Sequence, residues 1–141
     1  MVVLDTNVVS ELMRGSPCPD VLGWLDGQRT RELFVTSVTE AEIRAGVAIL
    51  PKGARRRGLT EAAERTFGDL FAGRVLPFDG SAARAYAEIV PVRRASGRPL
   101  PLADGQIAGI ARSRGMAVAT RNVEDFEDTG IEVVNPWTAP A

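Results

Sequence analysis

Short β-branched runs alternate with segments of helical spacing along this 141-residue chain, and this alternation limits the fold more than any other feature. In the helical segments, apolar residues recur three and four positions apart, as in a helix with one buried face. The runs lie at residues 2–4, 33–35, 75–78, 116–119 and 131–134. Short buried strands separated by helices predict an α/β fold with a mainly parallel sheet covered on both faces.

Several helix boundaries can be predicted from local signals. The run Ser37-Val38-Thr39-Glu40 fits a capping box that begins a helix. Asp104 stands where the N-cap of a later helix is expected, with Gly115 as its stop. Two further helices are expected over about 55–71 and 81–95.

Length and composition indicate one globular unit. At 141 residues, with 45% hydrophobic and 25% charged residues, we expect a single domain over 1–141. No apolar run is long enough to cross a membrane, and no export signal is visible. The lone Cys18 cannot form an internal disulfide, so we expect a cytoplasmic location.

The chain contains no histidine and only one lysine, Lys52. This excludes Ser-His-Asp and Cys-His catalysis, and most zinc sites. Lys52 follows Pro51 and lies in no glycine-rich phosphate motif. Carboxylate, hydroxyl and guanidinium groups remain, so an enzyme with this composition would most naturally use a hard cation bound by Asp and Glu.

The acidic residues Asp5, Glu42 and Asp104 each lie just after a predicted strand or near the start of the following helix. In a doubly wound sheet these positions meet at one edge, where sites are usually found. Clustered carboxylates repel one another unless a cation neutralises them, and Mg²⁺ or Mn²⁺ prefers oxygen ligands. Taken singly, Asp104 has an alternative role as an N-cap and Glu42 as a solvated helix residue.

The same residues carry a resemblance to PIN-domain nucleases, most closely to the VapC/FitB-type toxins of bacterial toxin–antitoxin pairs. Spread over nearly the whole chain, the matching motifs are Asp5-Thr6-Asn7-Val8, Thr39-x-x-Glu42-Ile43-x-x-Gly46, Asp104-x-x-Ile107-Ala108, Ala119-Thr120-Arg121-Asn122-x-x-Asp125-Phe126 and Val133-Val134-Asn135-Pro136-Trp137. The resemblance implies a three-layer α/β/α fold and a Mg²⁺-dependent ribonuclease. Asp5, Glu42 and Asp104 match the catalytic, metal-binding acids of the family.

One position departs from the family pattern. Many members carry a fourth acid after the fourth strand, where this chain has Asn122. Asn adds a carbonyl oxygen but no charge, and Asp125 could supply the missing charge or serve only as a helix-start carboxylate. Asn122 therefore leaves open a second hypothesis, a catalytically silent PIN-like module that binds RNA or protein.

Supporting residues and partners complete the sequence-based hypothesis. Thr6, Asn7 and Thr120 could hold the carboxylates or a water in place, although capping is the ordinary role for Thr6 or Asn7. Arg98 and Arg121 are candidates for RNA binding, while Arg55–Arg57 reads as a solvated face. The resemblance also implies a small antitoxin that covers the acidic groove, and a homodimer. Trp24 and Trp137 could contribute partner surfaces, although core packing is the commoner role for such residues.

Overall fold

A computed structural model describes residues 1–140. Five strands form the sheet: β1 (Val2–Leu4), β2 (Leu33–Thr36), β3 (Val75–Leu76), β4 (Ala117–Ala119) and β5 (Val133–Val134). The α-helices are α1 (Thr6–Leu12), α2 (Pro19–Asp26), α3 (Ser37–Ala48), α4 (Ala54–Glu64), α5 (Gly80–Ala95) and α6 (Leu102–Ser113). All five predicted strands are present, and each is two to four residues long.

The sheet is parallel throughout, with the strand order β3-β2-β1-β4-β5. From β1 the chain passes first to one side of the sheet and later returns to the other side, so the order reverses between β1 and β4. Asp5 follows β1 directly, and its backbone N–H donates to the carbonyl of Ala119 at the end of β4. The predicted site edge is therefore the carboxyl end of the two central strands, at the topological switch point.

Two apolar layers cover the sheet, as expected for a three-layer α/β/α fold. Successive strand residues point to opposite faces, so Val3 joins the layer with Ile89 from α5 and Ile107 from α6. Leu4 joins the layer with Val8 from α1 and other residues of the first half of the chain. Trp24 is buried in this second layer, at 6% exposure, so the structure assigns it to the core and not to a partner surface.

The helix α3 begins differently from the prediction. Thr36, not Ser37, is the N-cap, and its side-chain oxygen accepts a hydrogen bond from the Thr39 backbone N–H at 3.1 Å. Glu40 takes no part in a capping box and instead pairs with Arg44 at 2.7 Å, one turn further along. The N-cap lies one residue earlier than predicted because Thr36 still has the extended backbone of β2.

The helix α6 also begins earlier than predicted, and this changes the role of Asp104. Pro101 is the N-cap and Asp104 is the third residue of the helix, so the N-cap interpretation of Asp104 is wrong. Its carboxylate lies in the first turn, where a negative charge interacts favourably with the helix dipole. The predicted 55–71 helix is likewise divided, into α4 and a π-helical segment at Arg65–Leu70.

The helices α5 and α6 approach each other closely because α6 carries two buried glycines. A Cβ added at Gly109 would lie 2.7 Å from the Ala82 carbonyl oxygen, and one at Gly105 would lie 2.7 Å from the Tyr86 ring. This close approach sets the position of α6, and with it the position of Asp104. No helix within residues 1–140 has the length and apolar character needed to cross a membrane.

Candidate active site

Asp5 stands at the centre of the switch-point edge and is buried, with 4% of its surface exposed. It is the N-cap of α1, and its Oδ1 accepts a hydrogen bond from the Thr6 N–H at 2.8 Å. Its Oδ2 accepts hydrogen bonds from Thr120 Oγ1 at 2.8 Å and from Asn7 Nδ2 at 3.3 Å. A carboxylate has about four acceptor positions, so these three bonds leave one of them, on Oδ1, for a further ligand.

The hydroxyl of Thr120 connects the ends of β1 and β4. It donates to Asp5 and accepts from Asn7 Nδ2 at 3.2 Å and from the Asn122 backbone N–H at 3.0 Å. One donor and two acceptors are all that a hydroxyl offers, so the buried Thr120 side chain is fully satisfied. Asn7 in turn accepts a hydrogen bond from the Arg121 backbone N–H at 3.2 Å. The two predicted supporting residues therefore hold Asp5 in one orientation.

Glu42 reaches the site from α3 and is exposed to solvent. Its Oε1 accepts a hydrogen bond from Thr6 Oγ1 at 2.7 Å, and the Thr6 hydroxyl also lies 3.0 Å from Thr39 Oγ1. Because Thr6 has a single hydroxyl proton and donates it to Glu42, Thr39 is the donor in the second bond. Thr6 thus joins the end of β1 to α3 and places Glu42 near Asp5.

Burial and neighbouring carboxylates raise the pKa of Asp104 to about 6. Partial burial is the largest cause, followed by the negative charges of Asp5, Asp125 and Glu42. The pKa of Asp5 is also raised, mainly by burial, with opposing contributions from its hydrogen bonds to Thr120 and Thr6 and further increases from Glu42 and Asp125. Glu42 and Asp125 therefore lie close enough to oppose the ionisation of Asp5 and Asp104.

The segment after β4 brings both candidate fourth-site residues towards this edge. Asn122 is exposed and precedes a 3₁₀ turn at Val123–Phe126, which contains Asp125. The Asp125 backbone N–H donates to the Asn122 carbonyl at 3.0 Å, and Asp125 is partly buried. It adds to the raised pKa of both Asp5 and Asp104, so its negative charge acts on both acids.

Within residues 1–140, no three Asp, Glu or Cys side chains converge into a ready-made cluster for a metal ion. This does not disqualify a Mg²⁺ site, because Mg²⁺ keeps several waters and usually takes only one or two protein carboxylates. The donors at this edge are oxygens, one acceptor position of the buried Asp5 is free, and neighbouring carboxylates raise the pKa of Asp5 and Asp104. The residues present therefore fit a hydrated divalent cation better than a closed cage of protein ligands.

The two arginines predicted to bind RNA have different surroundings. Arg98 pairs with Glu127 at 2.6 Å and also with Asp128, on the loop beyond the 3₁₀ turn. The Arg121 guanidinium lies 5.1 Å from the centre of the partly buried Trp137 ring, beside Asn7. RNA binding by either residue stays a prediction, and Arg121 is the one that adjoins the hydrogen-bond network of Asp5.

Two residues of this region were missed by sequence reasoning. The sequence pattern predicts Thr39 only as part of a helix start. In the structure, its hydroxyl donates to the Thr6 hydroxyl, which in turn holds Glu42. Arg93 stands beside Arg94 in the sequence, as in a solvated basic run, yet it is buried at 3% exposure under the loop that contains Asp125. No local signal distinguishes a buried arginine from a solvated one.

A mainly apolar groove of about 350 Å³ begins at Thr6 and Glu42 and runs between α1, α3 and α4. Its walls include Met13, Ile43, Val47, Leu50 and Leu59, and Arg14 and Arg55 also line it. An open apolar groove beside acidic residues is suited to an amphipathic segment of another chain.

Comparison with known families agrees with the geometry. The family model described as the PIN domain matches residues 2–132. The chain is a PIN-domain protein.

Two relatives and one solved structure place this PIN domain within the VapC/FitB group. It is 43% identical over 137 residues to a VapC ribonuclease of Sinorhizobium fredii, covering 97% of this chain and 98% of the relative. It is 40% identical to the toxin FitB of Neisseria gonorrhoeae, covering 97% and 99%. The solved structure of FitAB bound to the IR36 DNA fragment superposes with a TM-score of 0.92, at 40% identity, over 100% of this chain and 99% of that one.

Proposed function

We propose that this PIN domain is a divalent-metal-dependent endoribonuclease and the toxin of a toxin–antitoxin pair. The names of its relatives support the activity class, since they include a VapC ribonuclease and the toxin FitB. The observation that carries the proposal is the set of acids at the switch point of the sheet, where Glu42 and Asp125 oppose the ionisation of Asp5, which is held by Thr120 and Asn7, and of Asp104. Repulsion between carboxylates destabilises the folded state unless a bound cation neutralises it, and strongly perturbed pKa values are typical of functional sites.

Asp5 and Asp104 are the proposed direct ligands of Mg²⁺ or Mn²⁺, with Glu42 binding directly or through a water. When bound, such a cation orients the scissile phosphate, lowers the pKa of water and stabilises charge on the departing oxygen. Asp5 suits this role because Thr120, Asn7 and the Thr6 N–H fix its carboxylate before any ligand arrives. A ligand held in place by its neighbours binds without a further cost in side-chain entropy.

Glu42 is the proposed acceptor of the proton of the attacking water. Thr6 holds its Oε1, and no donor from residues 1–140 bonds its Oε2. The water oxygen forms the new bond to phosphorus while the bond from phosphorus to the 3′-oxygen breaks, and the departing 3′-oxygen takes up a proton from solvent water. With no histidine in the chain, a route through the 2′-hydroxyl lacks its usual acid and base. The expected products have 5′-phosphate and 3′-hydroxyl ends.

Cleavage of RNA by purified protein tests the proposal. We expect Mg²⁺ or Mn²⁺ to support cleavage of total RNA by the wild type, and EDTA to abolish it. Asp5→Asn keeps the shape of the side chain and removes its charge, so activity should fall at least about a hundredfold. Asp69→Asn is the matched control, because Asp69 is exposed in the π-helical segment and forms no ion pair within residues 1–140.

The alternative function is a catalytically silent PIN-like module, which Asn122 keeps open. Binding of RNA by the wild type without any metal-dependent product would favour the module and contradict the nuclease. Products that end in a 2′,3′-cyclic phosphate would contradict the proposed water nucleophile while leaving a nuclease in place.

The antitoxin is the proposed occupant of the groove beside Glu42. FitB, a relative that covers the whole length of this chain, was solved as FitAB, which supports a partner protein for this PIN domain. We propose that a segment of the antitoxin packs on Ile43, Val47 and Leu59 and so covers the acids. A homodimer of this chain and a cytoplasmic location, where RNA is accessible, belong to the same proposal.

A further inference from the structure

Arg93 is an unusual residue for the end of a surface helix. It lies in the last turn of α5, yet only 3% of it is exposed, and none of the acidic side chains within residues 1–140 pairs with it. Its Nε has no hydrogen-bond partner in that part of the chain. A buried charge without an acid partner is expensive, and an apolar residue of similar volume often serves the fold as well or better. The burial of Arg93 therefore calls for an explanation beyond packing.

Its contacts supply that explanation. Arg93 Nη1 donates to the backbone carbonyls of Glu124 at 3.1 Å and Glu127 at 2.8 Å. These two carbonyls stand on either side of Asp125 and Phe126, so one guanidinium holds the 3₁₀ turn at its second residue and just beyond its last residue. Both bonds use the two hydrogens of Nη1, whose directions are fixed by the plane of the guanidinium, whereas the three hydrogens of a lysine ammonium rotate freely on a flexible stem.

The turn is held from the other direction by the network of Asp5. Thr120 Oγ1 bonds both Asp5 Oδ2 and the Asn122 N–H, and the Asn122 carbonyl accepts the Asp125 N–H. Phe126 is buried at 1% exposure beside Asp125, with its carbonyl accepting from the Thr129 hydroxyl. The segment from Asn122 to Glu127 is thus tied to the acidic edge at its start and to α5 at its end.

We propose that Arg93 is a positioning residue, which holds the turn Val123–Phe126 so that Asp125 stays beside Asp5 and Asp104. Asp125 then provides the charge that Asn122 does not, and Arg93 acts only through it. This inference rests on the proposed nuclease function, because it assigns Asp125 a part in the same site.

A double-mutant cycle tests the dependence of Arg93 on Asp125. The variants are Arg93→Met, Asp125→Asn and the double variant, with kcat and KM measured for RNA cleavage and Mn²⁺ affinity measured by electron paramagnetic resonance. Arg93→Met should lower kcat and Mn²⁺ affinity each by about tenfold and leave KM within about twofold, because a misplaced group loses reactivity more than binding. In the Asp125→Asn background, Arg93→Met should change neither quantity by more than about twofold, since coupled residues are not additive.

Amide hydrogen exchange gives a readout that does not depend on activity. Arg93→Met should accelerate exchange in the segment 123–129 more than in β1 or α6, because local opening is set by local contacts. Arg93→Lys should fall between Met and the wild type, and it serves as the second variant if Arg93→Met does not fold. Arg84→Met is the matched control on α5, since Arg84 is exposed and unpaired within residues 1–140, and it should change none of these quantities.

Three outcomes would overturn the inference. An equal loss from Arg93→Met in both backgrounds would show that Arg93 only stabilises the fold. Wild-type kcat and Mn²⁺ affinity in Asp125→Asn would show that there is nothing for Arg93 to position. A wild type that neither cleaves RNA nor binds Mn²⁺ would overturn the proposed function as well. If the wild type binds Mn²⁺ but does not cleave RNA, the double-mutant cycle is judged on Mn²⁺ affinity alone, with the same expected and contradicting results.

Discussion

The hydroxyl of Thr120 forms three hydrogen bonds at the site. It bonds Asp5, Asn7 and Asn122 at once, and it is buried. Its loss would remove one donor from the buried Asp5 and one acceptor from each of Asn7 and the Asn122 N–H.

Replacing Thr120 separates the hydroxyl from the shape of the side chain. Thr120→Val keeps the volume and leaves Asn7 and Asn122 short of an acceptor, so we expect a loss of about 1–3 kcal/mol in the free energy of unfolding. Thr120→Ser keeps the hydroxyl and should lose less than about 1.5 kcal/mol, the usual cost of deleting one methyl group. Urea titration measures both variants, and a smaller loss in Thr120→Val than in Thr120→Ser would show that packing, not the hydrogen bonds, explains the role of Thr120.

The raised pKa of Asp104 makes stability depend on pH. Its pKa is about 6 in the folded protein against 3.8 for an unperturbed Asp, so the folded state keeps a proton that the unfolded state has released. Stability should therefore fall as the pH rises from about 4 to 6, and the full cost should remain above that range. A difference of this size corresponds to at most about 3 kcal/mol, and less because Asp104 is only partly buried.

Asp104→Asn removes this cost. In the absence of metal, the variant should be more stable than the wild type near pH 8, and the difference should disappear near pH 3. Chemical unfolding across this pH range measures it. A variant that is equally stable or less stable near pH 8 would contradict the assignment of Asp104 to a group of repelling acids.

Among the elements, the helices α5 and α6 position acidic residues at the carboxyl end of the sheet, although neither helix is part of the sheet. The glycines of α6 let the two helices approach, α6 carries Asp104, and the last turn of α5 carries Arg93. One helix pair therefore presents one proposed metal ligand directly and supports a second acid through the turn after β4.

Alanine substitutions at two helical glycines test this close approach. Gly109→Ala would place a Cβ 2.7 Å from a backbone carbonyl, so we expect a loss of about 1–3 kcal/mol from overpacking. At Gly58 in α4 nothing lies within 4 Å, so Gly58→Ala should stabilise the protein by up to about 1 kcal/mol through helix propensity. Thermal unfolding distinguishes the two by opposite shifts in Tm, and a stabilising Gly109→Ala would mean that the helices can separate without cost.

At the scale of the whole molecule, a divalent cation bound at the acidic edge should stabilise the folded state. Mn²⁺ at a hundred times its Kd should stabilise the folded state by about 2.7 kcal/mol, or roughly 5–10 °C in Tm. Asp5→Asn should lose most of this response, while Asp69→Asn should keep it. Differential scanning calorimetry with and without Mn²⁺ measures the shift, and an equal response in Asp5→Asn would place the cation elsewhere.

The order of strands and helices along the chain, and the sheet edge near which Asp5, Glu42 and Asp104 lie, could be predicted from the amino-acid sequence alone. Both follow from local periodicity and from one general property of parallel sheets, whose strands all end at the same edge. Thr6, Asn7 and Thr120 were predicted as supporting residues for the same reason, since each adjoins a strand end.

The contacts that hold Asp5 and Glu42, and the raised pKa of Asp5 and Asp104, could be learned only from the packing of the whole chain. The cap of α3 and the start of α6 differ from the predictions by one to three residues, which was enough to change the role of Asp104. The raised pKa of Asp104 and the buried contacts of Arg93 depend on residues about 20 to 100 positions away. Periodicity describes the face on which a side chain lies, whereas the charge and hydrogen-bond partners of that side chain depend on what the rest of the chain packs against that face.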